Sequence, residues 1–131
     1  MGWEDIAKFA KEHQVKLDEP EAVEFEKKYG FRYEESWNLD KALAVFLLPR
    51  LAYLRDNFSA IPTYFCHFDA VTHKVLNERE ASERWYQVLD TMVHGFKLYL
   101  EKEKYEWTID DRVVWMDTLK YLHEHFECFW D

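Results

Sequence analysis

The sequence predicts an all-α fold, a compact bundle of four or five helices around a central Pro-kinked apolar helix, with a short irregular or β insertion near residues 60–80. Three observations carry that expectation. Only three glycines and three prolines punctuate 131 residues, too few for the turns of a sandwich or barrel. Apolar residues recur at the helical period in five separate stretches. Aromatic residues make up 18% of the chain, a share that disordered segments lack. The length suits one core, so residues 1–131 are read as a single helical domain.

Each element follows from local signals. Trp3, Ile6, Phe9, Ala10 and His13 share a face, which predicts a first helix over about residues 3–13. Asp18-Glu19-Pro20-Glu21 reads as the start of a second, with an acidic cap and an early proline, and Gly30 as its stop. Residues 31–37 form an aromatic connector. The third helix, capped by Ser36 or Asn38, runs from about Leu39 to Asn57. Its stripe is Leu39, Leu43, Phe46, Leu47, Leu51, Leu54 and Phe58, and Ala42, Val45, Leu48 and Ala52 widen it. A helix so apolar belongs at the centre, and Pro49 inside it predicts a kink instead of a break. Residues 59–80 read as a strand or irregular loop, with a helical turn from Val71 to Asn77. Ser82 then caps a long helix to about Lys102, striped by Trp85, Val88, Leu89, Met92, Val93, Phe96 and Leu100. Thr108 opens the last helix, striped by Trp115, Leu119, Leu122, Phe126 and Phe129.

Charge narrows the functional classes. The net charge is −9, with 11 acids and 6 bases in residues 1–40 and 9 and 4 in residues 101–131. Residues 41–100 carry 6 acids and 7 bases, including Arg50, Arg55, Arg79 and Arg84. Direct nucleic-acid binding is disfavoured, because counterion release needs a basic surface. No apolar run approaches 18 residues, so no membrane span is expected, and the N-terminus has neither a secretory nor a myristoylation pattern. Cys66 and Cys128 are expected to be buried free thiols in a reducing compartment.

Arg50 carries the sharpest expectation. Eleven residues after Leu39, it falls about 20° from that residue's direction on the helical wheel, inside the apolar stripe. A guanidinium there needs an anion, backbone carbonyls or a route to water. It either grips a ligand carboxylate or phosphate, or pairs internally with Asp40, Asp90 or Asp117, unless the Pro49 kink tilts it outward. Cys66-His67-Phe68-Asp69 with His73, and His123-Glu124-His125 with Glu127 and Cys128, hold metal-ligand residue types at poor spacing, so no metal and no cofactor is expected. Asp90 and His94 lie one helical turn apart, as in an intrahelical contact or an acid–base pair. Trp37, Trp85, Trp115 and Trp130 read as core first. Tyr33, Tyr64, Tyr86, Tyr105 and Trp107 could stack a flat ligand or form a dimer interface.

Several segments together resemble a known family. Tyr29-Gly30-Phe31, Trp37-Asn38-Leu39-Asp40, Phe46 to Leu51, Trp85 with Leu89-Asp90-Thr91-Met92 and Phe96, and Phe129-Trp130-Asp131 are similar to small acidic proteins encoded by tailed bacteriophages. Those proteins carry Trp-Asn-Leu-Asp, Leu-Pro-Arg-Leu, Leu-Asp-x-Met and Leu-Trp-Asp-like motifs. This chain departs in its insertion near residues 60–80 and in Phe129 for Leu. The resemblance implies a phage origin, action in the cytoplasm of an infected bacterium, and an accessory role against host defence. The function expected is non-enzymatic sequestration of a small anionic, nucleotide-like immune signal. Arg50 and Arg55 would sit on phosphates, with Tyr53, Tyr64, His67, Arg84 and His94 completing the ligand-binding set. The alternatives are an acidic inhibitor of a host defence protein, acting as a nucleic-acid mimic, and a small metal-dependent enzyme. A homo-oligomer is left open.

Overall fold

Among the described residues five α-helices form, and they pack into a compact all-α bundle. The structure is a computed structural model that describes residues 1–59, 61 and 77–129. In chain order the helices are α1 (Trp3–Glu12), α2 (Pro20–Tyr29), α3 (Leu39–Asn57), α4 (Glu78–Glu101) and α5 (Ile109–His125). Short 3-10 turns at Tyr33–Ser36, Lys104–Glu106 and Phe126–Cys128 link or extend them. The expected irregular or β insertion falls on residues outside the described set, as do Tyr64, Cys66, His67 and Trp130. Among the described residues there is no strand, and no helix is long and apolar enough to cross a membrane.

The local signals set most boundaries. Pro20 occupies the first turn of α2, and Gly30 ends it in the left-handed region at φ 81°, where a Cβ would be strained. Thr108 accepts from the Asp111 amide while Asp111 accepts from the Thr108 amide, a reciprocal cap that starts α5. α3 is continuous from Leu39 through Pro49 to Asn57. α4 begins earlier than expected. Asn77, not Ser82, is the cap, its Oδ1 accepting from the Glu80 amide at 2.8 Å.

Packing runs α1 on α3, α3 on α4 and α4 on α5. α3, expected at the centre, packs between α1 and α4. α4 is the other middle helix, and its Trp85, Leu89, Met92 and Val93 are essentially without solvent contact. α3 turns Ala44, Leu48, Leu51 and Ala52 inward and leaves Leu39, Leu43, Phe46 and Tyr53 exposed. The physical reason is distance. Two alanines let neighbouring helices approach more closely than the bulkier Leu39–Leu43–Phe46 edge would allow. Gly95 plays the same part between α4 and α5, where a Cβ would fall 1.8 Å from Thr118 Oγ1. Thr118 is fully buried and donates back to the Val114 carbonyl at 2.8 Å.

Candidate functional site

A cavity of about 360 Å³ opens between the C-terminal half of α1, the segment that follows it, the Tyr33–Ser36 turn and the first half of α3. That volume lies at the lower end of the range for small-molecule pockets. Its wall is built by a buried ion pair. Arg32 donates through Nε to Glu34 at 2.5 Å, to the Leu17 carbonyl, and to Glu26 at 3.4 Å. Glu34 in turn accepts from the Leu17 amide at 3.0 Å. The segment after α1 is thereby stapled to the turn before α3. Arg32's hydrogen bond holds the Glu34 carboxyl below the usual carboxylate range, so the pair stays charged.

Arg50 lies at this cavity, with Lys11, His13, Trp37 and Phe46 also on its lining. Arg50 is exposed, not lodged in the core. Its Nη1 donates to the Phe46 carbonyl at 2.8 Å, and its guanidinium carbon stands 3.8 Å from the Phe46 ring centroid. Among the described residues no carboxylate lies within ion-pair distance of it, so none of Asp40, Asp90 and Asp117 is its partner. One further acceptor follows from covalent chemistry. Pro49 has no N–H to give the Val45 carbonyl, and both residues line the cavity. Trp37, expected in the core, is instead 65% exposed at the cavity edge.

Of the other described residues expected to bind ligand, namely Tyr53, Arg55, Arg84 and His94, none lines this cavity. Arg55 is 5% exposed and spent inside the fold. It donates to Asp56 at 2.8 Å, to Asp90 at 2.8 Å and to the Met1 carbonyl at 2.7 Å. Asp56 also accepts from the Trp3 amide, so one cluster ties the start of α1, the end of α3 and the middle of α4. Arg55's hydrogen bond keeps the Asp56 carboxyl below its ordinary pKa. Tyr53 stands edge-on against Trp3 at 4.9 Å. His94 is exposed on α4, its Nδ1 2.9 Å from the Asp90 carbonyl and 3.4 Å from the Asp90 carboxylate. Arg84 is exposed near the start of α4. Tyr64 and His67 lie outside the described residues.

No group of three or more His, Cys, Asp or Glu side chains among the described residues is placed to hold a metal ion. His125 is buried against the edge of Trp85, and that burial pushes its imidazole pKa down. Cys128 is a buried free thiol. The Asp40 carboxylate accepts from the Tyr99 hydroxyl, raising that phenol to about 12 and anchoring the start of α3 to the end of α4.

Arg32 and Glu34 escaped the sequence reading because i and i+2 side chains meet only when a tight turn brings them together. Lys11 and His13 escaped it because nothing local shows that the end of α1 crosses the head of α3. No protein-family model, no curated protein and no solved structure matches this chain.

Proposed function

We propose that this chain is a non-enzymatic, phage-encoded accessory protein that sequesters a small anionic, nucleotide-like ligand in the cavity between α1 and α3. The observation that carries the reading is Arg50, a cation with no carboxylate within ion-pair distance among the described residues, beside an open cavity of mononucleotide size. A guanidinium with donors to spare at a cavity can hold a carboxylate or phosphate through two parallel hydrogen bonds. Lys11 adds positive charge to the same lining, which also holds the Glu34 and Glu35 carboxylates, and Trp37 offers an exposed face for stacking a base. The phage origin and the action against host defence rest on the motif resemblance and on the small, acidic character of the chain.

Thermal unfolding against a panel of nucleoside monophosphates, cyclic nucleotides and dinucleotides, each at millimolar concentration, tests the proposal. A ligand present at about 100 times its Kd stabilises the folded state by ~2.7 kcal/mol, a shift of several degrees for a domain of this size. A melting temperature unmoved by every member of the panel would reject it.

The inhibitor reading draws on one specific observation, the exposed Leu39–Leu43–Phe46 edge of α3 flanked by an acidic N-terminal region. An acidic mimic of nucleic acid would displace DNA from its basic target in a salt-sensitive manner. Displacement abolished by Leu43→Glu, with nucleotide binding unchanged, would favour that reading over sequestration.

A further inference from the structure

A carboxylate is an unexpected neighbour for a phosphate site, and the cavity lining holds two. Glu34 is committed to Arg32 and to the Leu17 amide. Glu35 is not. It lines the cavity half-buried, with no cation within ion-pair distance among the described residues. Its Oε2 accepts only a long 3.4 Å bond from the Arg32 amide. On the same lining Trp37 presents an exposed ring, and Asn38 has a side-chain amide that is not used to cap α3. Asn38, Ala42, Val45 and Pro49 line the cavity at successive turns, so it follows α3. The Arg50 guanidinium stands over Phe46, eight residues beyond Asn38 and about 12 Å along the axis. The cavity therefore has a cationic end and an acceptor end, a span that suits one nucleotide stretched from phosphate to base.

We infer that the base of the ligand is guanine, with its N1–H and 2-amino group donating to Glu35, Asn38 donating to its O6, and Arg50 on the phosphate. The inference deepens the sequestration reading and rests on it. Its ground is the pattern of donors and acceptors. An ionised carboxylate only accepts, and its two oxygens suit two adjacent N–H donors. Among the common bases, guanine alone sets two donors side by side on its pairing edge. Adenine and cytosine place a ring-nitrogen acceptor beside the amino group, and uracil flanks its single N–H with carbonyls. Each of these would turn a lone pair toward Glu35, and a site built to accept two hydrogen bonds rejects a ligand that cannot give them. Trp37 stacks on any base, so it adds affinity without selecting among them.

Calorimetric titration of the full chain with the 5′-monophosphates of guanosine, inosine, xanthosine and adenosine tests it. The guanosine ligand should bind about tenfold to a hundredfold more tightly than the adenosine one, as for hydrogen bonds to a charged group. The inosine ligand, which lacks the 2-amino group, should fall between them. Glu35→Gln keeps the shape but exchanges one acceptor for a donor. It should lose the guanosine preference and favour the xanthosine ligand, whose 2-carbonyl accepts from the new amide. Should that variant fail to fold, the wild-type ranking decides alone. Adenosine binding as tight as guanosine binding would overturn the inference and leave sequestration standing. So would a guanosine preference that survives in Glu35→Gln, or a uniform weakening of every ligand there, which is the mark of a merely structural residue. Binding by none of these ligands would overturn it too, and the cyclic nucleotides and dinucleotides of the wider panel would then decide the sequestration reading by themselves.

Discussion

Arg50 and Arg55 lie on the same helix, about 140° apart around its axis, and the fold treats them in opposite ways. Arg55 turns inward beside Leu48 and Leu51 and is held by Asp56, Asp90 and the Met1 carbonyl. Arg50 turns outward, stacks on Phe46 and faces the cavity, with no carboxylate within ion-pair distance among the described residues. A buried guanidinium cannot shed its proton, so a fold that buries one must supply its counter-charges. An exposed one carries no such requirement and keeps donors for something else. Two arginines of identical chemistry are thereby sorted into a structural residue and a candidate binding residue by helical phase alone.

Breaking the inward side should cost most. Arg55→Ala strands Asp90 and Asp56 and unties the start of α1. We expect a loss of about 2–3 kcal/mol in urea unfolding, below the ~3–5 kcal/mol of a fully enclosed pair because both carboxylates keep some contact with water. Gly95→Ala tests the same closed side at the α4–α5 crossing. The added methyl collides with Thr118, and overpacking of this kind costs roughly 1–3 kcal/mol, outweighing the better helix propensity of alanine. A neutral or stabilised variant would mean that the helices separate freely there.

Acid titration sharpens the contrast. Asp56 has a folded-state pKa below its unfolded value, so the unfolded chain binds more protons in that interval. Its contribution is present in full above the unfolded pKa of about 3.9 and declines as pH falls from there through the folded value. Stability measured below about pH 4 should therefore fall more steeply in the wild type than in Arg55→Ala. Equal slopes would show that Arg55 does not set the ionisation of Asp56. The smallest expected effect on stability is that of Arg50→Ala, within about 0.5 kcal/mol of wild type, as for surface substitutions generally.

The same contrast shows where the sequence could be read and where it could not. Pro20, Gly30 and Thr108 mark helix ends through backbone geometry or bonds within a few residues, so those boundaries were legible, whereas Asn38 stands before α3 without a side-chain cap bond. Asn77 with Glu80 three residues on was the same kind of signal, overlooked in favour of Ser82. The phase of α3 was illegible for a different reason. Apolar residues surround most of its circumference, so periodicity does not say which face enters the core. The small-residue face of Ala44 and Ala52 won, which exposed the leucine edge and exchanged the expected fates of Arg50 and Arg55. Arg55 consequently took Asp90, one of the partners foreseen for Arg50. The cavity wall was beyond reach altogether, because Arg32, Glu34 and Leu17 meet only through tertiary packing.

The outward role of Arg50 is best tested by calorimetric titration, with wild type, Arg50→Ala and Arg50→Lys each titrated with the nucleotide that most stabilises the fold. Binding should weaken at least tenfold in Arg50→Ala and partly recover in Arg50→Lys, while all three proteins unfold at the same urea concentration. Undiminished affinity in Arg50→Ala would contradict the assignment of Arg50 to a ligand.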